Sequence, residues 1–407
     1  MNKSPVFNYY LSDRAHPAAP ETNRWQRFLP LNRQAGSAGE IPDQVVTYGD
    51  YFGAIRTFLK QNDFAVISAA AKAYDRLQHS PVKSNKSDKP DAIEAIDIFA
   101  VKHGAFYHPA QIKVAFDQGQ TLSLVLNVAI SVAGQQTIES EFKRLKRLQE
   151  KKIGQYTPQV YCFGHTDKAQ GILWPMFLGQ WFDDFHEFHL TIAEPDGYKM
   201  VAWDPHKGPQ QLKTIQMATL YRQVAAILTN LYRIETFEQV FPWHHAAGDF
   251  VVNIKKVPLE VKLITIRRFG PLFELPTDAQ KAAPEPGEIL DALLIFFLNL
   301  SMRMRLDRLD GTGDVVWADD TALVGTWEGF FAALVLKPKP AMMPVPMSDA
   351  FAYVLAITPK NDLFTMSLTI AKRIYAKTAE FNVIRQNLKG HIDTLYRLIN
   401  ILEVAVD

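Results

Sequence analysis

The residues best placed to do chemistry together are Asp249 and Asn253, in the stretch Trp243-His244-His245-Ala246-Ala247-Gly248-Asp249-Phe250-Val251-Val252-Asn253. A carboxylate at the turn of a tight polar loop can orient a hydroxyl nucleophile or take its proton. An amide a few residues further on can hold a metal ion or a phosphate. The competing reading is structural. Gly-Asp sites commonly form Asx turns, Asp249 has Arg267 and Arg268 available as ion-pair partners, and Asn253 serves equally well as a strand residue with an exposed amide. Adjacent histidines in a strand-like segment point to opposite faces, so His244 and His245 do not ligate one metal together. His245 is instead expected to pack and hydrogen-bond within the loop. Arg267 and Arg268 carry planar forks suited to phosphate or carboxylate, and strand alternation turns only one of them toward any site. The run His186-Glu187-Phe188-His189 lacks the spacing of a zinc-binding helix and reads as surface.

These residues need elements to hold them. Leu212–Leu231 has long apolar periodicity and leads into the His-rich loop, and strands at Phe250–Ile254 and Val261–Ile266 flank the turn Lys255-Lys256-Val257-Pro258. Residues 287–309, 323–335, 348–357 and 361–405 read as helices, the last breaking near Asn382. Upstream, Ile96–Val101, Gln111–Phe116 and Leu122–Ser131 read as strands. A helix from Thr137 to about Lys151 follows, then strands at Gln159–Phe163 and Gly171–Leu178. The plan is three strands, one helix and two strands. The basic cluster Lys143-Arg144-Leu145-Lys146-Arg147 on that helix has glutamates at 139, 141 and 150 nearby and reads as a solvated face. Before it, residues 49–77 carry apolar positions at helical spacing, interrupted near Asn62-Asp63. Residues 1 to about 45 read as extended or poorly ordered, and Gln78–Pro90 as a linker.

Composition bounds the answer. A 407-residue chain exceeds the usual size of one core, so two units are the default. With 44 Lys+Arg against 43 Asp+Glu, no global field draws the chain to nucleic acid or anionic lipid. A single cysteine, Cys162, forms no internal disulfide framework and fits a reducing, cytoplasmic compartment. The polar start Met1-Asn2-Lys3-Ser4-Pro5 is not expected to be a secretory signal. The run Ala292–Leu298 falls well short of the ~20 residues that span a bilayer.

The order of elements resembles the protein-kinase-like superfamily, particularly its aminoglycoside and choline phosphotransferase branch, over roughly residues 95–335. His245-Ala246-Ala247-Gly248-Asp249 through Asn253 is similar to the family's His-Gly-Asp-x-x-x-x-Asn loop, with two extra residues between His and Gly and the Asn one position early. The resemblance implies Asp249 and His245 as catalytic residues and Asn253 as a metal ligand. It puts Asn127 in the strand slot of the family's lysine and Glu141, or Glu139 before it, in place of the helix glutamate. Met176-Phe177-Leu178-Gly179-Gln180-Trp181 resembles the hinge bordering an adenine, with Leu178 as a cofactor contact. Arg267-Arg268-Phe269-Gly270 keeps the Phe-Gly of the Asp-Phe-Gly element and sets Arg268 at its metal-binding aspartate. Lys102–Pro109 falls where a nucleotide-covering loop would lie, although its one glycine reads as a simple hairpin turn.

The fold expectation is therefore α+β, a two-lobe protein-kinase-like plan. Residues 1–92 form an extension and linker, 93–178 a β-rich N-lobe and 179–407 a mainly helical C-lobe. ATP is the implied cofactor, in an interlobe cleft. Mg²⁺ is the metal the resemblance implies, but neutral Asn127 and cationic Arg268 fit two-metal transfer less well than metal-free nucleotide binding, since phosphoryl transfer rests on lysine and metal ions neutralising the phosphates. Three functions are open at this point: phosphotransfer to a small-molecule hydroxyl, an inactive pseudokinase acting as a binding or scaffold module, and an unrelated α+β enzyme using a His–Asp acid–base pair. Expected partners are a nucleotide or small-molecule substrate, with residues 1–92 offered to a protein partner, and neither nucleic acid nor membrane.

Overall fold

The structure is a computed structural model. It describes residues 4–11, 18–20, 22–30, 46–78, 92–101, 106–117, 119–150, 154–167, 173–193, 197–205, 207–244, 248–273 and 284–406. The linker read at Gln78–Pro90 lies almost wholly outside these residues, as do 1–3, 12–17, 21 and 31–45 of the stretch read as extended or poorly ordered; its described part includes the strand Val6–Tyr10. The chain divides into two compact units, Met1–Asp183 and Asp184–Asp407.

In the first unit the elements run β1 (Val6–Tyr10), α1 (Tyr48–Lys60), α2 (Ala65–Gln78), β2 (Ile93–Ala100), β3 (His108–Phe116), β4 (Thr121–Val128), α3 (Val132–Glu150), β5 (Val160–Asp167) and β6 (Leu173–Gln180). They build a six-stranded sheet in the order β1-β2-β3-β4-β6-β5. All neighbours are antiparallel except β1, which runs parallel to β2. Alternation along β4 sends Leu122, Leu124, Leu126 and Val128 to one face, where they bury with Ile96, Ile98, Ile112, Val114, Trp174 and Met176. That face would be bare without the N-terminal helices. Phe52, Ile55, Phe58 and Leu59 of α1 and Ile67 of α2 fill the same core. A reciprocal Thr47–Asp50 capping box starts α1, and left-handed φ at Asn62, Asp63 and Phe64 ends it before α2. The segment read from sequence as an N-terminal extension is thus an integral layer of this unit. The apolar face of a sheet needs a cover, and α3 packs on the other side.

The second unit runs β7 (Phe188–Ile192), β8 (Tyr198–Asp204), β9 (Gly208–Gln211), α4 (Thr214–Leu231), β10 (Glu238–Val240), β11 (Phe250–Asn253), β12 (Glu260–Leu263), β13 (Phe269–Pro271), α5 (Pro286–Met304), β14 (Leu306–Arg308), β15 (Val315–Trp317), α6 (Asp320–Val335), α7 (Met347–Ile357), α8 (Lys360–Tyr375) and α9 (Ala379–Val406). Strands β7-β8-β9 form a three-stranded sheet that the sequence reading missed. β10 pairs with β13, and β11 with β12, so one small ribbon precedes the loop at 241–249 and closes beyond the hairpin that follows it. α4 and α6 pack closely, because Gly325 and Gly329 bring the α6 backbone against Ala218 and Arg222 of α4. The fold class is α+β, with the helices concentrated in the second unit.

One buried titratable group in this helical layer sets a pH response. His391 of α9 lies edge-on to Trp317, its Nε2 3.1 Å from Ser301 Oγ. Burial, with a smaller contribution from the Arg305 cation, pushes its pKa down to about 3. An unfolded imidazole titrates near ~6.5. Between those values the unfolded chain binds a proton that the folded chain refuses, so stability falls as pH drops below about 6.5. For this single group the slope approaches ~1.4 kcal/mol per pH unit. Urea midpoints measured from pH 7 to pH 4.5 are expected to fall more steeply for the native chain than for His391→Met, and parallel curves would refute the assignment.

Candidate functional site

Asp249 sits immediately before β11 and is 1% exposed. Gly248 before it has φ +71, a left-handed turn conformation. The turn folds back on itself. Asp249 Oδ2 accepts the backbone N–H of His244 at 2.8 Å, and the Asp249 N–H reaches the His244 carbonyl at 3.4 Å. The same Oδ2 accepts Nη1–H of Arg267, whose side chain is 23% exposed. On the far side of the hairpin, the Ile264 N–H donates to the Asp249 carbonyl at 2.8 Å. The carboxylate is therefore the hub of its own loop and is neutralised by a guanidinium from the residue pair that follows β12.

Two further residues hold the loop. Arg303, near the end of α5, donates from Nε to the Trp243 carbonyl at 2.9 Å and lies over the Tyr375 ring at 5.5 Å. In this way α8 supports the catalytic-loop candidate through α5. Glu187 approaches from the other side: a Cβ at Gly248 would meet its Oε1 at 2.7 Å. Glu187 Oε2 also lies 3.6 Å from His189 Nε2. His189 is 3% exposed, so the His186–Glu187–Phe188–His189 run is not the surface segment that its zinc-unlike spacing suggested. It enters strand β7, and the turn at Leu309–Gly311 covers its histidine, the Gly311 backbone lying against the ring. Glu187 and His189 share one strand face at an i, i+2 spacing, a signal that helix-based metal logic overlooks.

Asn253, the metal-ligand candidate, is buried, and its Oδ1 accepts the Lys255 N–H at 3.0 Å. That contact is an Asx turn closing the β11–β12 hairpin. Arg268 is exposed, and its Nη2 donates to the carbonyl of Pro271 at 3.1 Å. Of the adjacent arginines, which lie between β12 and β13 and in neither strand, it is Arg267 that meets the loop aspartate. His245 lies outside the described residues. Asp249 Oδ2 already faces a fixed cation, and the Asn253 amide closes a turn. Among the described residues no group of three or more His, Cys, Asp or Glu could hold a metal ion.

The remaining candidates belong to the first unit. Asn127 pairs with Pro109 on β3 and Phe177 on β6, so its side chain shares their face, opposite the Leu122–Val128 core row. The Phe177 ring lies 6.0 Å from Phe142 and 6.3 Å from Tyr107, edge-on to the latter. Tyr107 in turn donates its hydroxyl to Glu141 Oε2 at 2.7 Å. Asn127 and Glu141 thus lie on the same side of the sheet, the side covered by α3. Leu178 does not join them. It pairs with Leu126 and is fully buried in the core under α1 and α2, since adjacent residues on a strand face opposite ways. The 102–105 part of the nucleotide-loop candidate lies outside the described residues.

No protein-family model matches the chain. Part of it is similar to the sodium-dependent nutrient amino acid transporter 1 of Drosophila virilis, at 27% identity over 157 residues, and to that of Drosophila erecta, at 25% over 167 residues. Each match covers 39% of this chain but only 23% and 24% of the respective transporter, so the chain spans about a quarter of the length of these relatives. Among the described residues no helix is long and apolar enough to cross a membrane.

Proposed function

We propose that the chain is a kinase-like protein of two lobes that binds a nucleotide without transferring its phosphoryl group. Two observations support the kinase-like plan. In the first unit the antiparallel strands run β2-β3-β4-β6-β5 with α3 entering between β4 and β5. In the second, a ribbon, a carboxylate-bearing loop, a hairpin and the returning strand of the ribbon follow in that order. The Asp249–Arg267 ion pair carries the inactive reading. A base or metal ligand works best from an unencumbered carboxylate, and here a guanidinium and a backbone N–H share its Oδ2. Phosphoryl transfer is largely electrostatics and positioning, so a fixed cation on the orienting carboxylate, with Asn127 in place of a lysine, removes both.

The test is thermal. ATP in large excess over its dissociation constant is expected to raise the melting temperature equally with and without Mg²⁺, a ligand at ~100-fold excess stabilising by roughly 2.7 kcal/mol. Absence of a shift with adenine or guanine nucleotides sinks nucleotide binding. ADP formation that requires Mg²⁺ and a small-molecule alcohol would instead establish the active phosphotransferase.

A further inference from the structure

The start of β3 is docked on α3 by contacts that the proposed function does not use. The Phe106 carbonyl lies so close to the helix that a Cβ on Gly134 would meet it at 2.2 Å. Ser131 Oγ donates to the same carbonyl at 3.4 Å, and Gly134 N–H donates to Ser131 Oγ at 3.1 Å. One residue later, Tyr107 reaches along the helix. Its hydroxyl lies 3.3 Å from Thr137 Oγ1 and donates to Glu141 Oε2 at 2.7 Å. Gly134, Thr137 and Glu141 stand at the spacing of one helix face, so a single stripe of α3 receives the segment. Glu141 is 2% exposed, so this bond lies in a water-poor setting.

The position matters because of what lies beneath. Pro109, Asn127 and Phe177 form one row across β3, β4 and β6, and the Tyr107 ring packs edge-on against Phe177. Tyr107 thus packs on the row that holds Asn127, one residue across from it. We infer that Phe106–Tyr107 is a strap held shut by the Tyr107–Glu141 bond, and that it must release before a ligand reaches Asn127 and Glu141. That the ligand is a nucleotide rests on the function proposed above; the strap itself rests only on these contacts.

Tyr107→Phe keeps the ring packing and removes the hydroxyl with its contacts to Glu141 and Thr137, so the full chain is expected to fold. Hydrogen exchange is expected to quicken by about tenfold at backbone amides of residues 106–112 and 134–141 in Tyr107→Phe, with a smaller rise in Glu141→Gln, whose amide still accepts. Unchanged exchange in both variants overturns the strap. With ATP as the probe, in the absence of Mg²⁺, the thermal shift of Tyr107→Phe is expected to be at least twice that of the native chain. Equal shifts leave nucleotide binding standing and overturn the gating. No shift in either chain removes the nucleotide and the gating together, while the exchange result still decides whether the strap exists.

Discussion

Arg267→Met is expected to destabilise the second unit by about 3 kcal/mol, taken at the low end for breaking a buried pair because the guanidinium retains some solvent. The physical cause is an asymmetry between the partners. Asp249 is buried at the hub of its turn, and deleting the guanidinium takes a cation from a carboxylate that is 1% exposed. Asp249→Asn works in the other direction. The amide oxygen still accepts the His244 N–H, and Arg267 can rotate toward solvent, so the loss is expected to be about 1 kcal/mol. The double variant Arg267→Met with Asp249→Asn should recover part of the arginine loss, because no unpaired charge remains. Urea denaturation of the three variants and the native chain closes a double-mutant cycle. Coupling above about 1 kcal/mol is the expected result, whereas additive small losses would mean that the pair is a surface contact of the usual low worth.

Gly329→Ala is the second large effect. A Cβ at this position would stand 2.0 Å from the Arg222 carbonyl of α4, and one at Gly325 would stand 2.8 Å from the Ala218 carbonyl. Both obstacles are backbone, which cannot swing aside as a side chain can. Alanine is the better helix former by about 1 kcal/mol, so propensity alone predicts stabilisation. Forcing α4 and α6 apart across a close-packed contact is expected to cost about 3 kcal/mol or more, and the packing penalty wins. The melting temperature should drop by several degrees, at roughly 2–4 °C per kcal/mol for a unit of this size. Gly390→Ala is the control, since a Cβ on this α9 glycine meets no atom within 4 Å. If Gly329→Ala melts at or above the native temperature, the close approach of the two helices is wrong.

Much of the secondary structure was legible because it follows from period. Strand alternation and helical spacing are local properties: the readings Leu122–Ser131, Leu212–Leu231 and 287–309 correspond to β4 (Thr121–Val128), α4 (Thr214–Leu231) and α5 (Pro286–Met304), the last reading running on through the short strand β14. The break between α8 and α9 falls at 376–378, a few residues before Asn382. Short strands were harder. β10, β13, β14 and β15 are three residues each, too brief to show a period, and they exist because a partner strand is held opposite by the rest of the chain. The β7-β8-β9 sheet was missed for a different reason: its opening His186–His189 run was judged by the rules for a helix.

The site divides in the same way. The sequence determined the chemical inventory: one aspartate in a Gly-containing turn, two arginines after the hairpin, and an asparagine and a glutamate flanking the β4–α3 connection. Which members meet is a long-range matter of register and rotamer, and the tertiary structure decided it. Arg267 rather than Arg268 closes on Asp249, Asn253 turns inward to finish a hairpin, and Leu178 faces away from Asn127. Tyr107 reaches Glu141 across a separation of 34 residues. Period fixes which side of its own strand or helix a residue occupies. Only the packing of distant segments fixes what waits on that side, because burial and charge pairing are set by neighbours remote in the chain.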